Sequence, residues 1–172
     1  MTAGRPLLAL IIVAAVDAGL FTLRRLSDIA RRRRLLLLHG GFLALFAGPT
    51  WLIDIGIELF GWKVWPFTAW HGKPLVIMGF YEGLGLGFVL GVGMLLSSRH
   101  PAPTLPWTGM GAAAGLILGL GNTYYWEEAF VANDFTVQGL VATTAHWAFG
   151  LLQAAALVHA LRTGAGGSAS AA

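Results

Sequence analysis

The stretch Pro74–Leu95, PLVIMGFYEGLGLGFVLGVGML, decides the fold class. A helix rising 1.5 Å per residue needs about 20 apolar residues to cross a ~30 Å hydrocarbon core. This stretch is apolar over that length, yet it carries one carboxylate, Glu82, and six glycines. A soluble strand or helix has no need of so continuous an apolar run, and a plain lipid-facing helix has no need of the acid.

The rest of the chain reads the same way. Of its 172 residues 56% are hydrophobic and 11% charged, and the mean hydropathy is +0.71. Soluble domains carry roughly 25% charged residues. The charges here are clustered and leave long neutral runs between them. An all-α, polytopic bundle is the expectation, with five spans over residues 6–23, 35–60, 74–96, 107–126 and 136–161. Residues 1–162 read as one bundle, and the small, polar end at 163–172 as a disordered tail. A cleaved signal peptide is the rival reading of the first span, since Val16-Asp17-Ala18 precedes Gly19. Asp17 within the apolar region and the arginines that follow argue against it. The absence of cysteine excludes disulfides, thiol catalysis and thiolate metal sites.

Arginine and lysine set the orientation. Arg24, Arg25, Arg31, Arg32, Arg33, Arg34, Arg99 and Arg162 fall on one side, against Arg5, Lys63 and Lys73 on the other. The larger group belongs in the cytoplasm, so the N-terminus is outside and the C-terminus inside. The high sequence pI of 9.8 is therefore a topology signal and not a nucleic-acid signal. An anionic-lipid patch is the second use such an arginine run has. Trp62, Trp65 and Trp70, beside Lys63, His71 and Lys73, suit a loop lying along the outer interface. A lid over an entry path is its functional alternative.

Gly79, Gly83, Gly87 and Gly91 recur every four residues, and Gly111, Gly115 and Gly119 repeat the spacing in the fourth span. Glycine at that spacing strips one helical ridge and lets two backbones approach. The expectation is an antiparallel third–fourth hairpin zipped along these ridges.

The polar residues inside the spans carry the functional signal, because an ionisable group there is costly and faces the bundle interior or water. Glu82 lies about 12 Å in from the outer end of its span and Asp54 about 9 Å in, at 1.5 Å per residue. Glu58 shares a face with Asp54 and Thr50. The fourth span ends in Asn122, Tyr124, Tyr125, Glu127 and Glu128, and the fifth enters through Thr143 and His146, with Gly150 and Gln153 continuing that face. Four helices thus bring polar groups to the outer half, while the inner half is apolar apart from His39 and His159. The bland readings are interfacial carboxylates at Glu58, Glu127 and Glu128 and a core histidine at His146.

Carboxylates crowded in a low dielectric cannot all ionise, so such a site can hand a proton to an apolar substrate and take it back. Glu82, Asp54, Glu58 and His146 are the candidate catalytic groups. Trp51, Tyr81, Tyr125 and Trp147, with Asn122, are the candidate ligand-binding groups, aromatic faces being suited to a carbocation. No cofactor is expected. The partners are the bilayer and an apolar, lipid-like small molecule, and the glycine ridges also suit a homo-oligomer. A bacterial plasma membrane is the expected location.

Five spans with the N-terminus outside, acids on the second and third, a polar fourth-span end and an aromatic fifth resemble the emopamil-binding sterol isomerases. The small membrane-bound terpene cyclases are more distantly similar. The resemblance implies acid–base chemistry on a sterol- or isoprenoid-like lipid, with Asp54 or Glu58, Glu82 and Trp147 at the family's positions. That family's histidine ahead of the second-span acid has no counterpart here, since His39 lies too far upstream. A proton- or cation-coupled carrier or channel would use the same acids, although the inner half offers no polar exit and the chain has no repeated halves. Other readings are a metal site at Asp54, Glu58, Glu82 and His146, a bis-histidine haem between His39 and His159, and an accessory subunit of a larger complex.

Overall fold

The structure, a computed structural model, describes residues 4–64, 68, 74–99, 104–133 and 135–169, with the side chains of 4–6, 74–82, 129, 133 and 165–169 outside that description. All regular structure among the described residues is helical: α1 Gly4–Leu23, α2 Asp28–Phe60, α3 Pro74–Arg99, α4 Thr104–Tyr124, α5 Trp126–Ala129, a 3-10 turn Val131–Asn133 and α6 Thr136–Ala169.

Two boundaries depart from the sequence reading. Helix α2 starts at Asp28 and not at residue 35, because Ser27 caps it, its Oγ accepting from the Ala30 N–H at 3.4 Å. Asp28 in the first turn suits the positive helix end, so the arginine run is helical. Helix α6 continues to Ala169, into the 163–172 stretch that the sequence reads as a disordered tail. At the other end of α2, Gly61 adopts φ 66, the left-handed conformation glycine takes without strain. Its N–H and that of Trp62 bond back to the Ile57 and Gly56 carbonyls. The reversal lays the Trp62 ring against Gly56, where a Cβ would collide with it.

Helix α2 packs chiefly on α3, α4 chiefly on α6, and α1 on α6, while α2 also touches α4 and α6. The expected α3–α4 zipper is therefore corrected. The α3 glycines meet α2: a Cβ at Gly91 would stand 2.6 Å from the Ala44 nitrogen and 2.9 Å from the Gly40 oxygen, and one at Gly87 would sit 3.4 Å from Ala47. The α4 glycines meet α6: a Cβ at Gly115 would lie 2.7 Å from both N and Cα of Gly150. The reason is complementarity. A stripped ridge closes best on another small-residue ridge, and Gly40, Ala44 and Ala47 or Gly150 supply one. Helices α3 and α4 instead meet where Trp107 covers Gly93.

Arginines of the larger group tie one end together. Arg31 bonds the Leu23 and Leu26 carbonyls at 3.3 and 3.2 Å and pairs with Asp28 at 3.6 Å. Arg32 donates to Thr104 Oγ1 at 3.1 Å, and His159 reaches Asp28 at 3.2 Å. The first loop, the start of α4 and the end of α6 are thus knitted together. Large apolar side chains face outward on every long helix, including Leu10, Leu45, Val89, Ile117 and Val141. Among the described residues, the helices long and apolar enough to cross a membrane are Asp28–Phe60 and Thr136–Gly164, while Leu7–Leu23 and Gly83–Arg99 are shorter apolar helices.

Candidate functional site

The bundle buries a polar cluster where α2, α4 and α6 meet. Thr143, His146, Gly150 and Gln153 recur at spacings of three and four and so share one face of α6. Opposite stands His39 of α2. His39, Thr143 and Gln153 are wholly buried and His146 is 7% exposed. Helix α4 makes the room: a Cβ on Gly111 would collide with the Gln153 amide, and one on Gly115 would press the His146 carbonyl at 2.8 Å.

His39 Nδ1 lies 2.9 Å from Gln153 Oε1. With the Gln153 amide in this orientation its oxygen accepts, Nδ1 donates, and Nε2 of the neutral ring keeps its lone pair. The His146 ring stands edge-on, 6.4 Å from the His39 centroid. Phe149 stacks on His39 at 4.8 Å, and Phe42 meets His146 at 5.5 Å. Among the described residues His39 Nε2, His146 Nδ1, Gln153 Nε2 and Thr143 Oγ1 are buried with no protein partner. A buried polar atom left unmade costs about 1–3 kcal/mol, so these four are the groups that a bridging water or a polar guest would satisfy. The two imidazoles thus stand with ring centroids 6.4 Å apart in an aromatic surround.

Phe149 also lines a cavity of about 620 Å³ between α1, α2 and α6, along with Leu35, Leu38, Thr144 and Ala145. That volume is typical of small-molecule sites, and the wall is apolar. One aromatic ring thus divides an apolar chamber from a buried histidine pair. The chain matches no protein-family model, and neither a curated protein nor a solved structure is significantly similar to it. Function must therefore be argued from this geometry.

The sequence-derived residues divide between this cluster and the far end. Phe42, which touches His146, lies twelve residues before Asp54 on α2, about 18 Å along the axis. His146 thus lies with His39 and Gln153, well along the bundle from Asp54, while the side chain of Glu82 falls outside the described residues. Of the four residues of the expected metal site, Asp54 and Glu58 stand apart from His146 on the same count, and the side chain of Glu82 lies outside the described residues. Among the described residues no group of three or more His, Asp and Glu gathers.

Asp54 is buried at 9% exposure and Glu58 is exposed. Trp51 covers Gly85 and stacks near Phe88 at 6.3 Å. Since Gly91 meets Ala44, Gly87 meets Ala47 and Gly85 meets Trp51, the register brings residue 82 of α3 to the level of Asp54. The side chains of Tyr81 and Glu82 lie outside the described residues. Trp147 rests on Gly119 and donates from Nε1 to Thr123 Oγ1 at 3.0 Å. Asn122 is half-buried, and Tyr125 is exposed against Tyr124.

His39 and Gln153 are the residues that sequence reasoning missed. Depth along the chain sets His39 beside His159, but His159 is half-exposed and pairs with Asp28. The usable signal was the shared face of His146, Gly150 and Gln153 opposite the Gly111–Gly115 ridge.

Proposed function

We propose that this protein is a five-span membrane bundle, N-terminus outside and C-terminus inside, that performs acid–base chemistry on a sterol- or isoprenoid-like lipid as an isomerase or cyclase. The observation that carries the reading is the buried His39–Gln153–His146 cluster behind Phe149, against an apolar cavity of about 620 Å³. The apolar exterior of every long helix and the arginines that tie one end together support the membrane topology. The resemblance to emopamil-binding isomerases belongs to the same reading, with the bond-making centre moved from the acids to the histidines. Asp54 forms a separate acidic station toward the other end of α2, with Trp51 and Glu58 near it on the same helix and residue 82 of α3 at its level.

The test is proton exchange. Purified protein with a panel of sterols and isoprenoids in deuterated buffer should place deuterium in one of them, read by mass spectrometry. General acid–base groups contribute about 10²–10⁴-fold, so His39→Gln and His146→Gln should each lower incorporation by at least that lower bound. Asp54→Asn and Glu82→Gln should lower it by less than tenfold. If the acid variants abolish exchange and the histidine variants keep it, the chemistry belongs to the outer end.

One observation favours a proton-coupled carrier as the second reading. Arg32 with Thr104, then buried Thr108, then Gln153 with His39, leads inward from mid-bundle to the basic end. Such a column would supply the inner exit that a carrier needs. Proton flux across vesicles without lipid turnover would select the carrier.

The orientation has its own test. The chain lacks cysteine, so single cysteines report cleanly. With an impermeant thiol reagent on intact cells, Lys63→Cys should be labelled and Arg25→Cys protected. The reverse pattern would invert the bundle.

A further inference from the structure

His39 and His146 stand edge-on with ring centroids 6.4 Å apart. Among the described residues each has one buried nitrogen without a protein partner. On His39 that nitrogen is Nε2, because Nδ1 is turned to Gln153 Oε1 at 2.9 Å. On His146 it is Nδ1. His39 is wholly buried and His146 is 7% exposed. A histidine that binds a metal characteristically gives its other ring N–H to an oxygen acceptor, which fixes the tautomer and aims the lone pair. The Gln153 oxygen stands in that place for His39, and Gly111 leaves room for its amide.

The donor set selects the ion. Two neutral imidazoles bring no charge, the chain has no cysteine, and among the described residues no third His, Asp or Glu joins them. A divalent ion would carry its full charge into a buried site, and the desolvation cost of an ion grows as the square of its charge. Zinc would also lack two of the four ligands it takes. Cuprous copper carries a single charge, accepts imidazole and is satisfied by two donors in line. The spacing agrees. With metal–nitrogen bonds of about 2 Å, two imidazoles in line place their centroids about 6 Å apart, while a tetrahedral angle draws them to about 5 Å. The observed 6.4 Å fits the linear arrangement.

The geometry points to a binding site for a single cuprous ion between His39 Nε2 and His146 Nδ1, with Gln153 orienting His39. The site goes beyond the acid–base reading and competes with it, since the ion takes the lone pairs that a proton would use.

Anaerobic titration of the purified full chain with Cu(I), against bathocuproine disulfonate as competing chelator, tests it. One copper per chain should bind, and X-ray absorption at the copper edge should show two nitrogen ligands in line. His39→Leu and His146→Phe should each lower the affinity at least about a hundredfold, and Gln153→Leu by about 10–100-fold, as loss of an orienting partner does. His159→Gln should leave it unchanged, and Zn(II) should bind at least about a hundredfold more weakly than Cu(I). Failure to bind copper, copper retained when His39→Leu and His146→Phe are combined, equal affinity for zinc, or three or more ligands in the absorption spectrum would each overturn the inference. The wild-type spectrum decides the coordination even where a variant fails to fold. Copper binding, with no deuterium exchange on any lipid by the metal-free protein, would keep this inference and sink the enzymatic reading. Exchange without copper binding would do the opposite.

Discussion

Gly115→Leu should unfold much of the bundle in detergent, while Gly83→Leu should leave it as stable as the parent. The two glycines belong to similar-looking ridges, but their surroundings differ. A Cβ at Gly115 would stand 2.7 Å from the Gly150 backbone, and nothing lies within 4 Å of one at Gly83. Backbone cannot rotate aside as a side chain does, so α4 and α6 would have to separate. Overfilled cores cost about 1–3 kcal/mol, and a backbone clash belongs at the upper end of that range. Leucine also has the better helix propensity, by up to ~1 kcal/mol, which leaves Gly83→Leu neutral or slightly stabilising. Denaturation in sodium dodecyl sulfate followed by tryptophan fluorescence would measure both. A Gly115→Leu protein as stable as its parent would remove the α4–α6 seam from this description.

The second large effect is expected at the polar cluster. His39→Leu strands the Gln153 amide, and Gln153→Leu strands His39 Nδ1, in a place with no exposure to solvent. Each should cost about 1–3 kcal/mol through an unsatisfied buried group. The double variant leaves neither partner stranded, so it should be more stable than the sum of the singles implies. Measured couplings of interhelical hydrogen bonds in membrane bundles average about 0.6 kcal/mol and reach about 1.7. Full burial of both residues puts this pair at the high end. A thermal double-mutant cycle reads the coupling directly. Strict additivity would mean that the 2.9 Å contact contributes nothing, and the proton-transfer reading would lose its anchor.

Much of the helical architecture was legible because each of its signals is local. Apolar runs, the clustering of arginine and the four-residue glycine spacing are all read along one helix. The start of α2 was misplaced by treating the arginines as loop, when Ser27 and Asp28 carry an ordinary helix start. The pairing of glycine ridges was misread because adjacency in sequence favoured α3 with α4. Ridges choose partners by complementary shape, and Gly40, Ala44 and Gly150 lay on other helices. Depth along the chain placed His146 with the acids and His39 with His159, since rise per residue gives height but not azimuth.

By itself the sequence determined an all-helical chain with long apolar helices, its cations gathered at the loops of one end, and the small-residue ridges that make close packing feasible. These follow from composition and period, which every residue expresses without regard to distant partners. Tertiary structure alone decided which ridge closes on which. It also decided that His39 bonds Gln153 across 114 positions of chain, and that Phe149 stands between this pair and an apolar cavity. The physical reason is that a helix reveals its faces but not their neighbours. A hydrogen bond between two helices depends on rotation and register, and both are set only when all the ridges pack together.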